Sequence, residues 1–224
     1  MAASIYKLAT IFLFCIIPSS FREQLREHPL VLNYHNGPLL KGKIAFNLIW
    51  YGKFTPSQRS IIVDFINSLS SANLKLPSAS SWWKTTEKYR SGSSTLVVGK
   101  SSSKTTHSVY SETQCPGQCA WPFHQPIYGP QMPPLVAPNE DVGVDGMIIN
   151  LATLLASTVT NPFNNGFFQG PTNAPLEAVS ACTEMFGSGS YPGYPGNLLV
   201  EKTTGASYNA NGVNGRKYLL SAMW

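Results

Sequence analysis

Residues 145–159 have to be surrounded by the rest of the chain. At 3.6 residues per turn, Met147, Ile148, Ile149, Leu151, Leu154 and Leu155 fall on nearly every side of a helix. A helix that is apolar nearly all round belongs inside a core. Asn150, Thr153, Ser157 and Thr158 interrupt the run and argue against a membrane span, and Asn161-Pro162 stops it. Glu140, Asp141 and Asp145 cluster at its start, where carboxylates meet the positive end of a helix. Asp145 is a candidate cap. The whole chain of 224 residues is long enough for one sizeable core around such a helix.

Other elements follow from local signals. Thr55-Pro56 places an N-cap residue before a proline at the first helical position. Ile61, Ile62, Phe65, Ile66 and Leu69 then share one helix face, and Gln58, Arg59, Asp64 and Asn67 form the polar face. Residues 43–51 read as a strand closed by Gly52. With the short apolar run 30–32 and the turn signal Asn36-Gly37-Pro38, they predict a hairpin turning at 38–42. Residues 82–89 predict a helix anchored by Trp82, Trp83 and Tyr89. Residues 91–111 are rich in Ser and Thr and read as a linker or disordered loop. Prolines 122, 126, 130, 133, 134 and 138 exclude regular helix between them. A last helix is expected over 176–186, carrying Cys182 and ended by Gly187, with strands at 198–200 and 218–220. The expected fold class is α+β, mixed α/β, in a single domain.

The N-terminus has the layout of a secretory signal peptide over residues 1–20: Lys7, then the apolar run 8–17, then Pro18-Ser19-Ser20. The run is too short to cross a bilayer, which needs about 20 apolar residues. Secretion exposes the chain to an oxidising compartment, where disulfides form. Cleavage near Ser20 removes Cys15 and leaves Cys115, Cys119 and Cys182 as the candidate disulfide cysteines. Three is odd, so one thiol stays free or pairs between chains. Charged residues make up 12%, about half the usual share of roughly 25%. The net charge of +5 is scattered, with no dense basic cluster and no nucleic-acid motif, so nucleic acid is not an expected partner. Weak attraction to an acidic polymer such as a pectin-rich wall is compatible with it.

Little chemistry is legible. His28, His35, His107 and His124 form no His-Glu-x-x-His pair, which a zinc helix needs so that both rings face one ion. Cys115, Cys119 and His124 have loose ligand-like spacing but read as a disulfide loop. No Gly-x-Ser-x-Gly elbow is present. Asp141 and Asp145 could serve glycoside hydrolysis if the fold set them at the right separation. A structural role at the helix start is preferred. No catalytic, cofactor-binding or metal-binding residue is assigned.

Longer strings carry more information. His35-Asn-Gly-Pro-Leu-Leu-Lys-Gly-Lys43, Asn47-Leu-Ile-Trp-Tyr-Gly-Lys-Phe54 and Trp82-Trp-Lys-Thr-Thr-Glu87 resemble the plant EXORDIUM, or phosphate-induced protein, family. So do Glu112-Thr-Gln-Cys-Pro-Gly-Gln-Cys-Ala-Trp-Pro-Phe-His124, Val144-Asp-Gly-Met147 and Gly205-Ala-Ser-Tyr-Asn-Ala210. The resemblance covers roughly residues 30–220 and implies a domain over 30–224. It implies a secreted, wall-associated protein of the apoplast, linked to cell expansion, growth and hormone or carbon-status signalling. It implies no established catalytic residues and no cofactor. The expected partners are a cell-wall polysaccharide or an extracellular protein. The sequence departs from the family between Val98 and Ser111, where the family has a longer block with further strands and a cysteine pair. Residues 91–111 stand in its place, so part of the central sheet is expected to be missing. The family also continues past Trp224 to another cysteine. The stretch 151–162 with Gly166-Phe167-Phe168 also looks like the active-site helix and turn of some zinc endopeptidases. Thr153 and Ser157 stand at the ligand positions and Leu154 at the catalytic glutamate, so a zincin-like core without its metal is the expectation. Two other readings stand beside a non-catalytic wall protein: a wall-polysaccharide hydrolase, and a non-functional truncated isoform.

Overall fold

A computed structural model describes residues 31–89, 94–104, 120–125, 132–170, 176–181 and 184–223. From Leu32 onward the chain forms one unit of mixed helix and sheet, an α+β fold. Its elements are β1 (Leu32–Tyr34), β2 (Gly42–Tyr51), α1 (Pro56–Leu69), α2 (Ala79–Lys84) running into a 3-10 turn at Thr85–Tyr89, and β3 (Ser94–Lys104). After these come α3 (Val142–Thr160), β4 (Phe167–Gln169), β5 (Leu176–Glu177) and the single turn α4 (Ala178–Ala181). The C-terminal part supplies β6 (Leu199–Val200), β7 (Ser207–Tyr208), β8 (Ala210–Asn211) and β9 (Lys217–Tyr218).

The all-round apolar helix is α3, and two clusters enclose it. On one side Val144, Ile148, Ala152, Leu155 and Val159 join the main core. That core takes Leu48 and Trp50 from β2, Ile61, Phe65 and Ile66 from α1, Trp83 from α2 and Leu96 from β3. On another side Ile149 joins Phe123, Ala137, Phe186 and Leu219. The C-terminal segment divides its side chains between the two, with Tyr218 and Leu220 in the first and Leu219 in the second. By length and composition α3 passes for a membrane span, yet 56% of the qualifying window is buried inside the protein.

Capping sets the helix starts. Thr55 Oγ1 accepts from the Gln58 N–H at 3.2 Å, and Gln58 Oε1 accepts from the Thr55 N–H at 2.9 Å. This reciprocal pair satisfies two donors that the first turn leaves open. Asp141 caps α3, its Oδ1 accepting from the Val144 N–H at 3.0 Å. The cap is therefore Asp141, and Asp145 lies in the first turn behind it.

Four sequence expectations are corrected. The hairpin between residues 30–32 and 43–51 does not form: β1 pairs antiparallel with β4, and β2 pairs parallel with β3. Apolar alternation in β2 defines its buried face but says nothing about its neighbour. The Ser/Thr-rich stretch is not a loop throughout, because residues 94–104 form β3. Its first half offers Leu96 and Val98 to the core. The helix expected over 176–186 is reduced to one turn at Ala178–Ala181 after the short β5. The helix expected over 82–89 starts earlier, at Ala79, and tightens into the 3-10 turn. Its anchors hold: Trp83 and Tyr89 are buried, and Trp82 packs on the main core.

Phe65 is fully buried at the centre of the main core, its ring edge-on to Tyr218 at 5.3 Å. Phe65→Ala is expected to lower stability by about 3–5 kcal/mol, measured as a fall in the denaturant midpoint at unchanged slope.

Candidate functional site

The polar centre of the molecule lies where the start of α1, the start of α3 and the C-terminal hairpin β8–β9 converge. Asp64 belongs to the polar face of α1, but it is buried. The hairpin turn covers it. Asn214, at φ 55°, donates from Nδ2 to Asp64 Oδ1 at 2.9 Å. Arg216 Nε donates to Asp64 Oδ2 at 3.3 Å, and Ser60 Oγ donates to the same oxygen at 3.3 Å. Ser68 Oγ locks the turn, accepting from the Val213 N–H at 2.9 Å. Gly212 is required here, because a Cβ on it would stand 2.3 Å from the Tyr218 ring.

Asn139 continues the network towards α3. Its Oδ1 accepts from Arg216 Nη1 at 3.4 Å. Its Nδ2 donates to the Lys217 carbonyl at 3.0 Å and to Asp145 Oδ1 at 2.7 Å, and its backbone N–H donates to Asp145 Oδ2 at 2.8 Å. Asp145 is 2% exposed. Burial pushes its carboxyl up to about 7, the Asn139 hydrogen bonds pull it back in part, and repulsion from Asp141 adds to the rise. Asp141 in turn accepts from Gln58 Nε2 at 2.9 Å, tying the cap of α3 to the cap of α1.

Above this network opens a cleft of about 570 Å³. Ser57 and Ser60, Asn139 and Glu140, Glu201 with Thr203 and Thr204, and Asn214 to Lys217 form its walls. Lys217 pairs with Glu201 across it, and the Lys217 ammonium also stands 5.3 Å from the Tyr208 ring centre. A second cleft of about 520 Å³ adjoins it, sharing Pro138, Glu140 and Thr204 and adding Leu135, Val136 and Val142. The first is lined by hydroxyls, amides, three carboxylates (Asp64, Glu140 and Glu201) and two cations (Arg216 and Lys217), and the second mainly by apolar side chains. Such a lining matches a ligand rich in hydroxyl groups. Asp141 and Asp145, the sequence candidates for acid chemistry, lie beneath it, with all four carboxylate oxygens engaged.

The remaining sequence candidates fall elsewhere. Cys115, Cys119 and Cys182 lie outside the described residues, as do residues 1–20, expected to be a signal peptide, and His107. His124 is exposed, its Nδ1 at 3.0 Å from the Gln125 carbonyl. His35 packs on Phe168 with ring centres 5.1 Å apart. Thr153 Oγ1 bonds back to the Ile149 carbonyl at 3.1 Å, Ser157 Oγ donates to Glu177, and Leu154 is 64% exposed. Among the described residues no group of three or more His, Cys, Asp or Glu side chains comes together to hold a metal.

Several of the diagnostic strings have structural reasons. The His35 and Gly37 N–H groups donate to the carbonyls of Gly166 and Asn165 at 2.8 and 2.9 Å, so the His35-Asn-Gly-Pro string is laid against the Asn-Asn-Gly turn. A Cβ at Gly37 would stand 1.9 Å from the Asn165 side chain. Trp82 and Trp83 donate from Nε1 to the carbonyls of Ser221 and Ser94 at 2.7 and 2.8 Å.

The profile of the phosphate-induced protein 1 conserved region matches residues 32–109 and 96–224. EXORDIUM-like 2 of Arabidopsis thaliana is 56% identical over 269 aligned positions, covering 89% of this chain and 88% of the relative. PHOSPHATE-INDUCED 1 of Nicotiana tabacum is 47% identical over 296 positions, covering 98% and 95%. EXORDIUM of Arabidopsis thaliana is 47% identical over 270 positions, covering 87% and 86%. No solved structure matches the chain.

Asp145 also sets a pH dependence. Its folded carboxyl binds a proton up to about 7, against an ordinary value of 3.8. Its stabilising contribution is complete below the lower value and is lost as pH rises to the upper one. Asp145→Asn, which mimics the protonated form, is expected to flatten the stability profile between about pH 4 and pH 7. Denaturant midpoints of the two proteins across that range measure the difference.

Proposed function

The chain belongs to the EXORDIUM (phosphate-induced protein) family, and on that premise we propose that it is a secreted apoplast and cell-wall protein that supports cell expansion and growth signalling by binding rather than by catalysis. The N-terminal layout of charge, apolar run and small residues supports export. Its expected ligand is an acidic wall polysaccharide. The observation that carries this reading is the cleft of about 570 Å³, whose serine, threonine and asparagine side chains stand beside Arg216 paired with Asp64, Lys217 paired with Glu201, and Glu140. A uronate chain offers the hydroxyls that such a wall can pair, and the net charge of +5 over the whole chain favours its approach.

Hydrolysis by Asp141 and Asp145 fits less well. A glycosidase acid must reach the glycosidic oxygen. Asp145 is 2% exposed and held by Asn139, while Asp141 holds the α3 cap and Gln58.

Retention of the secreted full chain on immobilised polygalacturonate tests the proposal. Binding is expected to fall as salt rises, and Ser57→Glu is expected to weaken it by about threefold or more, because it adds a like charge to an exposed cleft wall. Equal retention on neutral xyloglucan, or no effect of Ser57→Glu, overturns the acidic-ligand reading. Release of reducing ends from polygalacturonate, lost in Asp145→Asn, would establish the hydrolase instead. Failure of the chain to leave the cell in folded form would favour the truncated isoform.

A further inference from the structure

The loop 187–197 leaves the second core cluster at Phe186 and returns to it at Leu198. Its base is closed by the Phe186 and Gly187 N–H groups, which donate to the Pro195 carbonyl at 3.2 and 2.9 Å. The Asn197 N–H donates to the Ser188 carbonyl at 2.9 Å. The two arms touch there, since a Cβ on Gly196 would stand 2.3 Å from the Gly187 carbonyl oxygen. At the tip, Tyr191-Pro192-Gly193-Tyr194 reverses the chain, with Gly193 at φ 86° where a Pro-Gly turn needs its glycine. Tyr191 and Tyr194 exchange both backbone hydrogen bonds across it, at 3.1 and 2.8 Å. Their rings lie side by side, with centres 5.1 Å apart and planes 35° apart. Tyr194 Oη donates to Asn197 Oδ1 at 3.2 Å, which fixes that ring. Tyr191 is 60% exposed, whereas Tyr89 and Tyr218 are buried. Tyr34 stacks on Phe167 and donates its hydroxyl to the Gly37 carbonyl. Tyr51 is exposed, but among the described residues no tyrosine ring pairs with it.

We propose that Tyr191 and Tyr194 are a site of oxidative modification, coupled within the chain into a dityrosine by a haem peroxidase and hydrogen peroxide. Tyr191 is the entry point, because its ring is open to an enzyme too large to reach a buried phenol. Each phenol gives up one electron and one proton, and hydrogen peroxide takes both pairs to become two molecules of water. The first radical, formed on Tyr191, passes to Tyr194 across the ring contact, and Tyr191 is then oxidised a second time. A carbon–carbon bond forms between the ring carbons beside the two hydroxyls. The hydrogens on those carbons move to the oxygens, which restores both phenols. The product is the starting chain less two hydrogens. The turn supplies what such a coupling needs, two phenols held together before either is oxidised, so the two radicals meet without a search. The hydrogen-bonded base of the loop keeps that geometry in place. The link then staples the tip of the loop. Its occurrence in vivo rests on the secretion proposed above, which brings the chain to an oxidising compartment. The coupling itself depends only on the folded chain.

Treatment of the purified, folded full chain with a haem peroxidase and hydrogen peroxide tests the site, whether or not the chain is secreted. Dityrosine fluorescence is expected to appear in protein that still runs as a single chain. Peptide mapping is expected to place the loss of two hydrogens in the fragment that carries both Tyr191 and Tyr194. Tyr191→Phe and Tyr194→Phe each keep a ring in the pair and remove one phenol, and each is expected to abolish that product. Tyr51→Phe is expected to leave it unchanged. Circular dichroism and the thermal midpoint check that the three variants keep the fold. No dityrosine in the folded protein, or a product that persists in Tyr191→Phe, overturns the proposal. Coupling found chiefly as covalent dimers shows that the exposed phenol reacts between chains, and that also overturns it.

Discussion

Two of the core clusters of the described unit are built on the apolar sides of α3. Its apolar side chains occur on too many sides for one packing partner, so the main core and the Phe123–Phe186 cluster must close on it from different directions. Burial on that scale requires contributions from distant parts of the chain. Trp50 comes from β2, Phe65 from α1, Phe186 and Leu219 from the C-terminal third. Each fully buried aliphatic or aromatic side chain contributes about 1.5–3 kcal/mol relative to exposure.

The polar groups near the start of α3 follow from this arrangement. A buried helix end must satisfy its first N–H groups, and Asp141 does so for one of them. Placing Asp145 one turn further along buries a carboxylate where desolvation is costly. Asn139 offsets part of that cost with two donors and passes the connection to Arg216 and Asp64. The result is a hydrogen-bonded seam between α1, α3 and β8–β9, and the polar cleft is its solvent side. Such seams fix orientation more than they add stability, because breaking any member leaves a buried group unpaired. A binding cleft built above it inherits that rigidity.

The sheets show how far local pattern can carry a reading. Strand β2 was legible from its composition, and its buried face from its alternation. Its partner was not: a Ser/Thr-rich stretch has low intrinsic preference for order, and only the pairing with β2 and the burial of Leu96 make it β3. The same holds for β1, which satisfies its edge against β4, more than a hundred residues away in sequence, rather than against the nearby β2. Proximity along the chain favours hairpins, but the register is decided by which face must be buried. The diagnostic strings around His35 and Trp82 identified the family without revealing why they are constrained. The structure supplies the reason in the bonds to Gly166, Asn165, Ser221 and Ser94.

By itself the sequence determined the helices α1 and α3, their caps to within a turn, the apolar face of β2, the aromatic anchors of α2 and the α+β class. These depend on periodicity and capping chemistry, which act over a few residues. Asp64, Asn139 and Arg216 were beyond it, because in one dimension they are ordinary polar residues on a helix, a loop and a hairpin. Only the tertiary structure brought them into one network and placed the cleft above them. Desolvation and pairing depend on neighbours far along the chain, and no local spacing encodes those.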